Sequence, residues 1–103
     1  MERDRVDMVF KALASPQRRE ILTLLAGGGP DGDSRCCGSD EVCACVFAEM
    51  LGLGAPTVSH HMKVLVEAGL VSASKRGSWV YYRLETDALE SVAAEITALT
   101  GHA

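Results

Sequence analysis

The chain has 103 residues, a mass of 11.0 kDa and a formal net charge of −4, with 48 % hydrophobic and 23 % charged residues. That length fits one domain, residues 1–103, which buries only about two thirds of its unfolded surface, and the composition excludes a disordered chain. No run of 18 apolar residues is present, and MERDRVDMVF is charged where a secretory signal needs an apolar core, so a cytoplasmic protein without a membrane segment is expected.

Val6, Val9, Phe10 and Leu13 recur at helical spacing and predict a first amphipathic helix from about Glu2 to Ala14. Ser15 can cap a second helix, and Pro16 at its first position loses no needed hydrogen bond. Ile21, Leu22, Leu24 and Leu25 form its apolar stripe, and Gly27 to Gly29 stop it. Residues 27–39, GGGPDGDSRCCGS, are turn formers and read as a loop. A third helix is expected from near Ser39 or Asp40 to about Leu51, with Cys43 and Cys45 in its first turns.

GLGAP, residues 52–56, breaks that helix, and Pro56 starts another that runs until Gly69 caps it. Two short helices joined by a Gly-containing turn are a helix-turn-helix pattern. Val58, Met62, Leu65 and Val66 give the second of them a core face, leaving Thr57, Ser59, His60 and Lys63 largely outward. The period then changes to two: LVSAS, a KRGS turn with Lys75 and Arg76 at its tip, and WVYYRL read as a β-hairpin in which Trp79, Tyr81 and Tyr82 supply core. Asp87 with Glu90 suggests a capping box for a last helix striped by Leu89, Val92, Ala93, Ile96 and Leu99.

Charge is unevenly spread along this order. Residues 57–83 carry Lys63, Lys75, Arg76 and Arg83 against Glu67 alone, whereas residues 30–56 and 84–103 are both acidic. A basic face on an acidic body suits a nucleic-acid partner. The fold class is therefore mainly α with a β-hairpin wing, a winged helix-turn-helix. A CxC pair is not the CxxC redox motif, and no conventional catalytic triad or Gly-rich phosphate loop is present, so no enzyme is expected.

All four cysteines, Cys36, Cys37, Cys43 and Cys45, fall within ten positions. In a reducing compartment they are ligands or redox sensors before they are disulfides. Positions two apart in a helix lie about 200° apart around its axis, so a grip by Cys43 and Cys45 together would require the first turn of the third helix to loosen.

LASPQRREILTLL, VCACVFAEMLGLGAPTVSHHMKVLVEAGLV and KRGSWVYYRL, in that order, resemble the ArsR–SmtB family of metal- and metalloid-responsive repressors. The resemblance implies a homodimer paired through its first and last helices, with recognition helices in successive major grooves of double-stranded operator DNA. It places Ser59, His60 and His61 in the groove, flanked by Thr57 and Lys63, with Lys75 and Arg76 of the wing on phosphates or the minor groove. His61 has a second reading, as a residue packed against the third helix.

For the thiols the resemblance implies an inducer that releases DNA. As(III) or Sb(III) takes three soft thiolates, which Cys37, Cys43 and Cys45 can supply, with Cys36 as substitute or fourth ligand. The best-known arsenic repressors of this family carry a third cysteine where this chain has Ala48, so Cys36 and Cys37 become necessary. The alternatives are a four-thiolate Cd(II), Pb(II) or Zn(II) site, or a switch oxidising Cys36 or Cys37 against Cys43 or Cys45.

Overall fold

The computed structural model describes residues 3–27 and 41–101. Cys36, Cys37 and most of the Gly-rich segment lie outside them, so the expectations for those two thiols have no structural counterpart.

Helix α1 (Arg3–Leu13) has Asp4 in its first turn and Lys11 in its last, matching the helix dipole. Val6, Val9 and Ala12 are its buried face. Helix α2 (Pro16–Gly27) begins as expected: the backbone N–H of Arg18 donates to Ser15 Oγ at 3.4 Å, and Ile21, Leu22 and Leu25 are buried.

The next element departs from expectation. Residues Glu41–Cys43 form a short strand, β1, and α3 (Ala44–Leu51) starts only at Ala44 with Cys43 as its N-cap in extended geometry, φ −69° and ψ 143°. Cys43 is therefore not in the helix. The strand is held by a partner some forty residues away, antiparallel to β3 with Cys43 opposite Tyr81.

Gly52 ends α3 in the left-handed region at φ +66°, a conformation that favours glycine, and Gly54 caps α4 (Ala55–Glu67) with Pro56 in the first turn. Val58, Met62 and Leu65 bury the inner face of α4, and Gly69, at φ +78°, turns the chain into the wing. Val66, expected in that core face, is exposed.

Strands β2 (Val71–Arg76) and β3 (Trp79–Leu84) pair with Lys75 opposite Val80 and Arg76 opposite Trp79. Lys75 and Arg76 thus close the strand, and Gly77 and Ser78 form the tip. Positive φ at Gly77 supplies what a two-residue hairpin turn requires at its first central position. The sheet order is β1-β3-β2, a three-stranded wing. Of the wing aromatics only Tyr82 joins the core, edge-on to Phe47 at 6.2 Å, while Trp79 is 56 % exposed. Trp79 stands at the turn end of the hairpin, paired with Arg76.

Helix α5 (Thr86–Leu99) is capped by Glu85 without a side-chain hydrogen bond, so the expected Asp87 capping box does not form and Asp87 lies within the first turn. Helices α1 and α5 pack together. Ala88 and Val92 are buried, but Ile96, Leu99 and Phe10 remain 46 %, 88 % and 44 % exposed on the protomer.

Candidate nucleic-acid interface and thiol site

Helices α3 and α4 with the β2–β3 hairpin place one polar helix face beside a basic strand end. Thr57, Ser59, His60 and Lys63 are all exposed on α4, and Lys75 and Arg76 are exposed on the wing. The Arg76 guanidinium lies 4.7 Å from the centroid of the Tyr81 ring, so a cation–π contact holds its stem while its charge stays at the surface. Hydroxyl, imidazole, ammonium and guanidinium groups donate to phosphate oxygens and base edges, and no acidic side chain stands among these six.

His61 differs from its neighbours. It is half-buried and faces α2, not α3, with Nδ1 accepting from Arg18 Nη1 at 3.3 Å. The same guanidinium donates through Nε to the Ala12 carbonyl at 2.8 Å and through Nη2 to the Lys11 carbonyl at 3.2 Å. Arg19 Nη1 adds the Leu13 carbonyl at 2.6 Å. Carbonyls left open at the end of α1 are thus closed by two arginines of α2, and one of them also holds α4.

Because Arg18 is always a donor, His61 Nδ1 must accept, which assigns the ring proton to Nε2. Burial, then the charge of Arg18, then that of His60, all lower the His61 pKa from the ordinary imidazole value of 6.5. Sequence patterning singled out neither Arg18 nor this link, since an Arg two residues after a Ser-Pro start has no distinguishing spacing.

The thiol site lies at the junction of β1 and α3. Cys43, the N-cap, is 2 % exposed, Cys45 is exposed, and neither is in a disulfide. The Cys45 Sγ–H donates toward Cys43 Sγ at 3.1 Å. The expected loosening of the helix is therefore unnecessary: with Cys43 in extended backbone, its side chain swings to the same side as that of Cys45. Among the described residues no three His, Cys, Asp or Glu side chains converge on one point. The described donor set is two soft sulfurs without hard ligands, a chemistry that fits a thiophilic centre and leaves further ligands to come from elsewhere.

Beside Cys45 is a cavity of about 120 Å³ lined by Ala44, Ala48, Ala55, Val58, Ser59 and Tyr82. Burial raises the Tyr82 pKa, so its phenol is neutral there. Three of the walls, Ala55, Val58 and Ser59, belong to α4. Cys45 and the exposed Ser59 of α4 thus line one cavity.

These elements define a winged helix-turn-helix DNA-binding regulator. Residues 37–73 match the model of a bacterial regulatory protein family, arsR. The transcriptional repressor SdpR of Bacillus subtilis is 35 % identical over 82 residues, covering 80 % of this chain and 78 % of that protein. An arsenical resistance operon repressor of Staphylococcus xylosus is 36 % identical over 92 residues, covering 89 % and 77 %. Among solved structures, a homodimeric winged helix-turn-helix DNA-binding domain from Mycobacterium bovis superposes with a TM-score of 0.67 at 31 % identity, covering 96 % of this chain and 82 % of that one. The chain belongs to the ArsR family of bacterial transcriptional regulators, which are DNA-binding proteins and not enzymes. No helix among the described residues is long and apolar enough to cross a membrane.

Proposed function

We propose that the protein is a cytoplasmic, homodimeric repressor that leaves its operator when As(III) or Sb(III) binds Cys43, Cys45 and one thiol of Cys36 and Cys37. The observation that carries this reading is the Cys43–Cys45 sulfur pair, 3.1 Å apart at the start of the helix that packs on α4. The kinship with arsenical resistance operon repressors supports arsenic as the inducer. A dimer is supported by the exposed Phe10, Ile96 and Leu99 and by the homodimeric Mycobacterium bovis domain.

DNA contacts are assigned to Thr57, Ser59, His60 and Lys63 on α4 and to Lys75 and Arg76 on the wing. His61 is assigned to the same set through its Nε2–H, since Arg18 holds the other nitrogen. Each protomer reads one half-site, so a pseudo-palindromic operator follows from the twofold symmetry.

Release is a coupling between two ligands. Cys43 and Cys45 with one thiol of Cys36 and Cys37 would hold the metalloid, and holding it would displace β1 and the N-terminus of α3 from the arrangement that fits DNA. By linkage, inducer and DNA weaken each other by the same factor. The test is a fluorescence-anisotropy titration of the reduced protein on its own promoter DNA with arsenite, cadmium and zinc, run beside Cys36→Ser and Cys37→Ser. Release by arsenite alone, lost in one serine variant, supports the reading and names the third ligand. Release by cadmium or zinc, or only by peroxide, would replace it with a four-thiolate metal site or a thiol-oxidation switch.

A further inference from the structure

We infer that Trp79 is a DNA contact: its indole packs on the deoxyribose edge of the minor groove beside each half-site, adding an apolar grip to the charges of Lys75 and Arg76. The inference rests on the operator assignment proposed above and deepens it.

Alternation along β3 explains why this ring is available. Val80 and Tyr82 point to the core, so Trp79 and Tyr81 face the other way. Tyr81 there meets the Arg76 guanidinium, whereas the indole is 56 % exposed and, among the described residues, has no ring or hydrogen-bond partner. A tryptophan so placed contributes little to the fold, yet it is the largest flat apolar surface a side chain can offer a partner.

Charge selects that partner. Residues 71–84 carry Lys75, Arg76 and Arg83 and no Asp or Glu, which fits a polyanion and disfavours a cationic or neutral protein surface. Strand β2 packs on α4, so the ring belongs to the same body as the exposed Thr57, Ser59 and Lys63. The hairpin tip is also slender. Gly77 has no side chain, a Cβ there would meet no atom within 4 Å, and only Ser78 adds width, so the tip suits a groove about 6 Å wide. Sugar C–H edges wall that groove, and A·T pairs present only acceptors on its floor, where the single indole donor, Nε1–H, finds a partner.

Trp79 is the chain's single tryptophan, so its fluorescence reports this site alone. The experiment measures acrylamide quenching of the reduced dimer with and without its own promoter duplex. Anisotropy of the labelled duplex gives affinity at several salt concentrations for wild type, Trp79→Ala and Trp79→Phe. Quenching should fall severalfold in the complex. Trp79→Ala should lose about tenfold in operator affinity, and Trp79→Phe should recover most of it. The slope of log K against log salt should not change in Trp79→Ala, because an apolar contact releases no counterion.

Equal quenching of the free and the DNA-saturated protein overturns the inference, and this readout needs no variant to fold. Normal affinity of Trp79→Ala, or a shallower salt slope in it, overturns the inference as well. An indole already shielded in the free dimer and unchanged by DNA makes the patch a contact between copies, which also overturns it. If the wild type does not bind the promoter duplex at all, the operator assignment fails together with it.

Discussion

Arg18 Nη1 stands 3.3 Å from His61 Nδ1, joining the helix that closes the end of α1 to α4, the second helix of the helix-turn-helix. The bond requires a neutral imidazole, because a protonated ring has no acceptor at Nδ1 and meets the guanidinium as a like charge. The ionisable groups bearing on the ring are Arg18 from α2 and His60 from α4.

The sign of the pH effect follows from the lowered His61 pKa. Between the folded and unfolded pKa values the unfolded chain binds more protons, so the stability this group contributes is present above pH 6.5 and is lost as pH falls below it. Thermal unfolding from pH 7.5 down to pH 5.5 should show a falling midpoint in wild type and a flatter profile in His61→Gln, which retains an acceptor for Arg18. Equal slopes would show that another group titrates.

Cys43 and Cys45 should separate in stability although the proposed induction uses both. Cys43→Ser puts a hydroxyl where the side chain is 2 % exposed and costs about 1 to 3 kcal/mol, whereas Cys45→Ser at the surface stays within about 0.5 kcal/mol of wild type. Chemical denaturation with the protein fully reduced measures both. A Cys45→Ser as damaging as Cys43→Ser would mean that the sulfur pair is structural.

Ile96→Glu should yield a monomer. It places a charge in the partly exposed apolar face formed with Phe10 and Leu99, and sedimentation should show half the wild-type mass with loss of most operator affinity. An intact dimer would place the interface elsewhere.

Arg76→Ala should weaken operator and random DNA alike. With two wings per dimer and about 0.9 counterions released per phosphate contact, the slope of log K against log salt should become shallower by about 2. An unchanged slope, or a loss confined to the operator, would remove the phosphate role and point to the Tyr81 contact as Arg76's main task.

The helices were legible because their signals are local. Ser15-Pro16, Gly52, Pro56 and Gly69 mark element ends through backbone preferences that need no partner, and the stripe of Ile21, Leu22 and Leu25 reads at one spacing. Strand β1 was not legible. Three residues cannot display a period of two, and what makes Glu41–Cys43 extended is pairing with Tyr81 to Arg83, far along the chain. Placing the start of α3 near Ser39 or Asp40, four or five residues too early, then carried the error to the thiols, since a helical Cys43 and a capping Cys43 point differently. The Asp87 capping box failed similarly: the pattern was present, but the chain leaving β3 enters the helix at Glu85. Arg18 escaped notice because the carbonyls and imidazole it joins come from two other helices, α1 and α4.

Strand β1 makes the wing more than a hairpin. Cys43 sits opposite Tyr81 on one side of β3, and the Tyr81 ring carries the Arg76 guanidinium. Helix α3 leaves from that same cysteine and packs on α4. A single residue is thus the hinge pin of two arms, one running through a sheet to Arg76 and one through a helix to α4, and under the proposed function a ligand that displaces it loosens both together.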